Sequence, residues 1–354
     1  MSSLTLDIHL LRLTLLASLV MPCGAAAALA QTVPPAVQEF ALRDTKGLTE
    51  HNIQASAAEF KGRQSVRLVR PPSDEGGLAI LPGTEDFADG TIEVDLALKV
   101  TVTGHRMPGF VGVAFRVRPD TSHYELFYLR PGNSVSNDQA MRNHSVQYSS
   151  EPLFSWYKLR REWPAVYEAY ADLQPEAWTK LKITVAGRNA KLYLNGSESP
   201  SLVVNGLKGE DAQGAIALWG YAGEEAYFSN MRITRAATAQ PLPFDGEASG
   251  VWDVTLNGDA AMIQGNLKLT RDGSNITGKW SGPLGDNLDV AGTWRRGYVE
   301  LHFTGNWPEG ASVGTPGSVN TVLAGWIEGA SASGRFKIEG HTDGLWSATR
   351  KPPQ

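Results

Sequence analysis

A chain of 354 residues with a net charge of −5, its 32 basic and 37 acidic side chains dispersed, lacks the basic stripe that a nucleic-acid partner requires. Its single cysteine, Cys23, lies in a leader-like N-terminus, so the mature chain is expected to have no thiol for a disulfide, a zinc-thiolate site or a cysteine nucleophile. Ten tryptophans, ten tyrosines and 37 glycines point instead to a turn-rich β protein with aromatic surfaces.

Residues 1–30 read as a signal peptide. Arg12 precedes the apolar run Leu13 to Met21, and Ala28-Leu29-Ala30 has the small-x-small form that a signal peptidase cleaves. Asp7 is out of place in a leader that is normally basic, and Pro22 before Cys23 is a poor fit to a lipid-attachment site. The apolar run falls short of the roughly 20 residues needed to span a bilayer, and no later segment approaches that length. The expectation is a secreted or periplasmic chain, held together by core burial alone.

From residue 37 onward, short alternating runs are separated by Gly, Asp, Asn or Pro. Ile92, Val94, Leu96 and Leu98 share one face of Thr91 to Leu98, and Val111, Val113, Phe115 and Val117 share one face of the next run. Period two predicts strands. The best helical candidate, Pro164 to Leu173, alternates equally well. Trp178 to Val185 and Ala190 to Gly196 predict two strands about an Ala186-Gly187-Arg188-Asn189 turn, followed by Gly214 to Trp219 and Ala226 to Ile233. Residues 237–245, with Pro241 and Pro243, predict a linker. Residues 31–236 and 246–354 are then two domains, and six of the ten tryptophans fall in the second.

The order W-x-x-L-x-I from Trp178, L-Y-L-N-G from Leu192, G-x-I-A-L from Gly214 and F-S-N-M-R-I from Phe228 resembles the concanavalin A-like lectin/glucanase superfamily. Laminin G-type domains and the domain named for 3-keto-disaccharide hydrolases are the most similar branches. The resemblance implies a jelly-roll sandwich whose concave face carries any ligand site, with a carbohydrate as the ligand. It leaves function open, since one scaffold hosts lectins, hydrolases and adhesion modules.

Sugars are held by planar polar side chains that bond hydroxyls in pairs and by aromatic faces. The candidates on the middle strands are Arg116, Arg118, Tyr124, Tyr128 and Arg130, followed by Arg142, Asn143, His144, Gln147, Tyr148 and Trp156. The rival reading is that these are ordinary sandwich-surface residues, with Asp138 and Arg142 pinning a loop.

A glycosidase needs two carboxyls about 5–9.5 Å apart. Glu93 and Asp95 share a strand face at about 6–7 Å. The glucanase pattern E-x-D-x-x-E, however, requires a third acid where this chain has Leu98, so the pair reads as a solvated face. Glu125, Asp138 and Glu168 remain as candidate acids among the aromatics. The leading expectation is a non-catalytic, lectin-like protein, with a glycoside hydrolase as the alternative. Gly310-Ala311-Ser312-Val313-Gly314 matches a nucleophile-elbow pattern without the strand and helix that pattern needs. The scattered histidines predict no transition-metal site and no cofactor, while the superfamily resemblance leaves a structural calcium open. Asn143, Asn195 and Asn275 lie in glycosylation sequons. The oligomeric state is not legible.

In the second domain about eight short strands, starting at Gly250, Gly265, Ile276, Leu288, Tyr298, Asn320, Gly334 and Leu345, predict an up-and-down antiparallel barrel. The opening G-x-W, the I-T-G-K-W and the closing W-S-A-T-R resemble avidin-like and lipocalin-like barrels. Such a barrel either holds a small ligand or is filled by its own side chains. Trp252, Trp280, Trp294, Trp326 and Trp346 are the candidates for lining or filling it, and Trp307 for a lid.

Overall fold

The computed structural model describes residues 36–69, 76–99, 109–221, 225–237, 246–259, 261–309 and 314–352. The leader 1–30 with Cys23, the linker residues 238–245 and residues 310–313 of the G-x-S-x-G match lie outside the described residues.

The chain is all-β. Residues 37–235 form two antiparallel sheets packed face to face. Sheet A runs in the order Leu202–Asn205, Asn189–Leu194, Thr179–Ala186, Gly90–Lys99, Glu225–Arg235, Arg63–Val69, Gln54–Phe60, and Val37–Phe40 adds to the Glu225–Arg235 strand. Sheet B runs Glu168–Ala169, Val146–Glu151, Tyr124–Leu129, Val111–Val117, Ala215–Gly220, Gly77–Ile80, Thr49–His51. The core between them contains Leu96, Phe115, Phe127, Tyr148 and Phe228, all essentially inaccessible to water. Burying each such side chain stabilises the fold by about 1.5–3 kcal/mol.

The two sheets differ in how their strands are covered. In sheet A, Thr179–Ala186 alternates buried and exposed along its length, as expected for a sheet with one wet face. In sheet B, Val111–Val117 and Ala215–Gly220 are buried at every position. A second apolar cluster therefore covers the outer face of sheet B, built from Leu78, Ala114, Leu126, Tyr128, Ala217 and Trp219. That cluster becomes the floor of the site described below.

Two local departures from the alternating pattern matter. Opposite Ala215–Ala217 the strand Val111–Val117 contains an extra residue, and Arg116 there has φ +52°. The bulge turns Val117 onto the outer face beside Ala114 and sends Arg116 sideways. In the helical candidate, Glu168–Ala169 pairs with Gln147 and Val146 as an edge strand, and the helix lies earlier, at Trp156–Glu162. Two single-turn helices, Pro131–Ser134 and Gln139–Arg142, precede it.

The second set of strands, from Gly250–Gly258 to Thr342–Arg350, closes into an eight-stranded barrel in sequence order, its last strand pairing with its first. Trp252, Trp280 and Trp346 point inward, Trp280 stacking on Phe303 at 5.0 Å. The void among Trp252, Leu267, Val299 and Trp346 measures about 10 Å³, room for one water at most. Side chains thus fill the interior, and the expectation of a small molecule held there is set aside. Trp326 points outward and packs with Tyr298 and Ala324 against Leu153 of the sandwich. Sandwich and barrel are further joined by Arg335 to Glu162, Arg161 to Asp259 at 2.8 Å, and Arg188 to Glu328 at 2.6 Å.

Candidate saccharide groove

The outer face of sheet B carries a groove of about 440 Å³. Its floor depends on small residues. Gly112 lies between Tyr128 on one neighbouring strand and Trp219 on the other. A Cβ at residue 112 would fall 2.3 Å from the carbonyl oxygen of Phe127 and 2.6 Å from Tyr128 Cβ. Glycine lets the two rings close over this position, with centroids 5.1 Å apart. Phe110 and Tyr221 extend the surface, with Phe110 5.5 Å from Tyr128 and 5.1 Å from Tyr221. Gly76 allows the indole of Trp219 to lie where a Cβ would come within 2.1 Å of its Nε1. That buried N–H has no hydrogen-bond partner among the described residues.

Trp156 and Tyr157, at the start of the Trp156–Glu162 helix, form one wall, meeting edge to face at 5.8 Å. The Trp156 ring is held by two guanidinium groups, Arg160 at 4.7 Å and Arg130 at 5.2 Å. Arg130 is buried against Phe110 and Tyr128 as well, and its Nη2 donates to Tyr128 Oη at 2.7 Å. Burial pushes the Tyr128 phenol up to about 12, so the acceptor stays neutral.

The opposite rim is polar. His51, Asn52, Asp120, Thr121 and Ser122 contribute to it. Ser122 Oγ donates to Asp120 Oδ1 at 2.6 Å, which holds that carboxyl below its ordinary pKa. Glu151 stands across the strand pair from Tyr124, in the groove wall. Burial pushes its carboxyl pKa up, against the opposing pull of Ser149 and Lys158.

Of the residues singled out from the sequence, the groove brings together Tyr124, Tyr128 and Trp156, with Arg130 packed behind them. The others lie elsewhere. Arg116 is buried near the end of an interior strand of sheet B, donating to Ala88 O, Asp89 Oδ1 and Gly187 O. Arg118 pairs with Glu210 and with Asp211 at 2.8 Å. Gln147 is buried, its Nε2 donating to the carbonyls of Tyr148 and Tyr167. Arg142 stacks on Tyr170 at 5.2 Å, and Asn143 accepts from Gln139. His144 contacts Glu168 at 2.9 Å.

The three candidate acids serve other partners. Glu125 alternates with Phe127 and therefore faces the core, where it accepts from Tyr148 Oη at 2.6 Å and Gly209 N at 2.8 Å. Asp138 caps the Gln139–Arg142 helix through Ala140 N. Glu168 clamps Arg160 with both oxygens, so it reaches the groove only through the ring that Arg160 supports. Glu93 and Asp95 belong to sheet A, on the far side of the sandwich, with Asp95 bonded to Arg63 and Asn230.

Sequence reading missed Phe110, Trp219, Tyr221, Glu151 and the His51 and Asp120 rim. The available signal was the small residues at Gly112, Ala114, Ala215 and Ala217. They alternate with core positions on two strands and leave room for rings from their neighbours.

One grouping among the described residues has the geometry to hold a metal ion. Ligand atoms of His123, Glu210 and Glu300 lie within 4.8 Å of one another. The Arg118 guanidinium already supplies the positive charge there, through Glu210 and Asp211, and Glu300 also contacts His302 at 2.8 Å.

The family model described as the 3-keto-alpha-glucoside-1,2-lyase-like domain matches residues 52–234, which carry every groove residue except His51. The chain belongs to this family. The matched residues form the two-sheet sandwich, and the barrel lies beyond them. Among solved structures, the chain is similar to the carbohydrate-binding module CBM66 from Bacillus subtilis, with 17% identity and a TM-score of 0.36. That match covers 53% of this chain and 95% of the module. It is also similar to a Bacillus subtilis protein of galectin-like fold (12%, 56% and 94% covered, TM-score 0.38). A third is domain 4 of an extracellular arabinanase from Geobacillus stearothermophilus, solved with arabinotriose (15%, 58% and 94% covered, TM-score 0.35). No curated protein sequence matches the chain.

Proposed function

We propose that the sheet B groove binds a saccharide. The observation that carries this is the floor itself: Tyr128, Trp219, Phe110 and Tyr221 form a continuous ring surface on the outer face of a sheet, walled by Trp156 and rimmed by polar side chains. Sugar C–H faces pack on aromatic rings while hydroxyls bond a few placed polar groups, and the volume falls within the usual range for small-ligand sites. The unpartnered Trp219 N–H is a donor that a hydroxyl would satisfy.

Titration calorimetry against a panel of gluco- and arabino-oligosaccharides tests this. Binding that Trp219→Ala and Tyr128→Ala weaken at least about tenfold is the expected result. No binding by the intact protein, or binding that both variants retain, removes the proposal.

A second reading has Glu151 in its favour. The family's description names a lyase acting across C1–C2 of a 3-keto-α-glucoside. The C3 ketone acidifies the C2 proton, so such an elimination needs a base for that proton and a donor for the departing oxygen at C1. Glu151 is the groove carboxyl whose pKa burial raises toward the working range of a general acid or base. Release of the aglycone from a 3-keto-glucoside, abolished in Glu151→Gln with binding retained, supports catalysis; an inert wild-type protein leaves a binding role alone. The leader-like residues 1–30 support export, and N-terminal sequencing of the mature protein tests it by looking for a start at Gln31.

A further inference from the structure

A second cleft, of about 570 Å³, lies where the sandwich meets the barrel. The sandwich contributes Trp163, Arg188 and Lys208, and the barrel contributes Trp326, Glu328 and Asn257. Lys208 is anchored at its backbone and by its neighbour in the chain. Leu207 before it is fully buried, and its own backbone N–H donates to Tyr148 Oη at 2.7 Å. The ammonium is thereby carried over the Trp163 ring, with Nζ 4.1 Å from the centroid, 5.5 Å from that of Tyr167 and 5.9 Å from that of Phe154.

Two cations face this cleft, and they are treated differently. Arg188 lies 3.9 Å over Trp326 and is neutralised by Glu328 at 2.6 Å. Lys208 forms no ion pair with any carboxylate among the described residues. Aromatic faces stabilise an ammonium but do not cancel its charge, and the Arg188 charge repels it. An anion is the missing complement, and the half-buried Trp163 indole lines the cleft beside it.

We propose that the junction cleft is a second binding site, for a saccharide that bears a carboxylate: Lys208 takes the carboxylate and the half-buried Trp163 indole beside it takes the sugar ring. The barrel then contributes to recognition through its outer wall, its interior being filled. The site's ionisation is consistent with this. Burial, then the Arg188 charge, lowers the Lys208 pKa to about 8, against opposing pulls from Glu162, Glu328 and Glu125. The Tyr167 phenol beneath the ammonium is pushed up to about 12 and stays neutral. A bound carboxylate would hold Lys208 protonated, so affinity should decline as pH rises through about 8.

Calorimetric titration of the full chain at pH 7 with D-glucuronate, D-glucose and acetate tests the assignment. Glucuronate should bind at least about tenfold more tightly than either control. Lys208→Met should cost about tenfold or more, and Lys208→Arg should recover most of the loss, which a purely structural role for the lysine would not produce. Trp219→Ala in the groove should leave glucuronate affinity within about twofold, since distant sites act independently. Absence of glucuronate binding, equal binding of glucose or of acetate, indifference to Lys208→Met, or loss on Trp219→Ala would each overturn the proposal.

Discussion

Arg116→Met separates a structural arginine from a ligand-binding one. The guanidinium is 3% exposed and its partner Asp89 is equally buried. It donates to Asp89 Oδ1 at 3.1 Å, to Gly187 O at 2.7 Å and to Ala88 O at 3.0 Å, tying the bulged strand to two turns of the sandwich. Burial lowers its pKa, and the charges of Glu125 and Asp89 oppose that shift. Methionine keeps most of the volume and removes the charge. Asp89 would retain the Gly187 N–H at 2.9 Å but lose its counter-cation. Breaking a buried pair from one side costs about 3–5 kcal/mol, because the remaining charge has no water to return to. For a unit of this size that lowers the melting midpoint by roughly 6–20 °C. Urea and thermal unfolding followed by circular dichroism would measure it, with saccharide titration on the folded variant. The expected result is a large stability loss with groove affinity unchanged. An unchanged midpoint together with lost binding would refute the argument and return Arg116 to the ligand.

Gly112→Ala should part the Tyr128 and Trp219 rings and weaken saccharide binding at least about tenfold, a change that Trp fluorescence and calorimetry would both report. Trp280→Ala removes a fully buried ring stacked on Phe303 and should destabilise the barrel by about 3–5 kcal/mol in urea unfolding, without moving groove affinity. Glu125→Gln should flatten part of the pH dependence of stability. Burial raises the Glu125 pKa above its ordinary 4.5, so the folded protein keeps this proton where the unfolded chain has lost it. Its contribution is complete below about 4.5 and is lost as pH rises through the folded value. Urea midpoints across that range should fall less in the variant than in the wild type, and identical slopes would count against the assignment.

Fold class, the strand runs and the closed barrel were legible from the sequence, because alternation with a period of two is set locally by which side chains can face a core. The same rule could have assigned Glu125 correctly. It alternates with Phe127 and Leu129, so it had to share their buried face. Alternation failed at Arg116, where one inserted residue reversed the phase of the strand. No local pattern marks such a bulge when the residue involved is not a glycine.

The groove was only partly legible. Tyr124, Tyr128 and Trp156 stand out by residue type, but their partners come from strands and turns far along the chain. Trp219 reaches Tyr128 across Gly112 because the Ala215–Gly220 and Tyr124–Leu129 strands both pair with Val111–Val117. Lys208 and Trp326 are 118 residues apart and meet only because the barrel packs on the sandwich. The sequence by itself therefore determined the all-β class and the buried face of the regularly alternating strands. Only the tertiary structure decided which rings share a surface, which carboxyls are already paired and which cation, among the described residues, lies over rings rather than beside a carboxylate. Those outcomes depend on strand order, register and domain packing, where the free energy lies in contacts between distant segments rather than in any one of them.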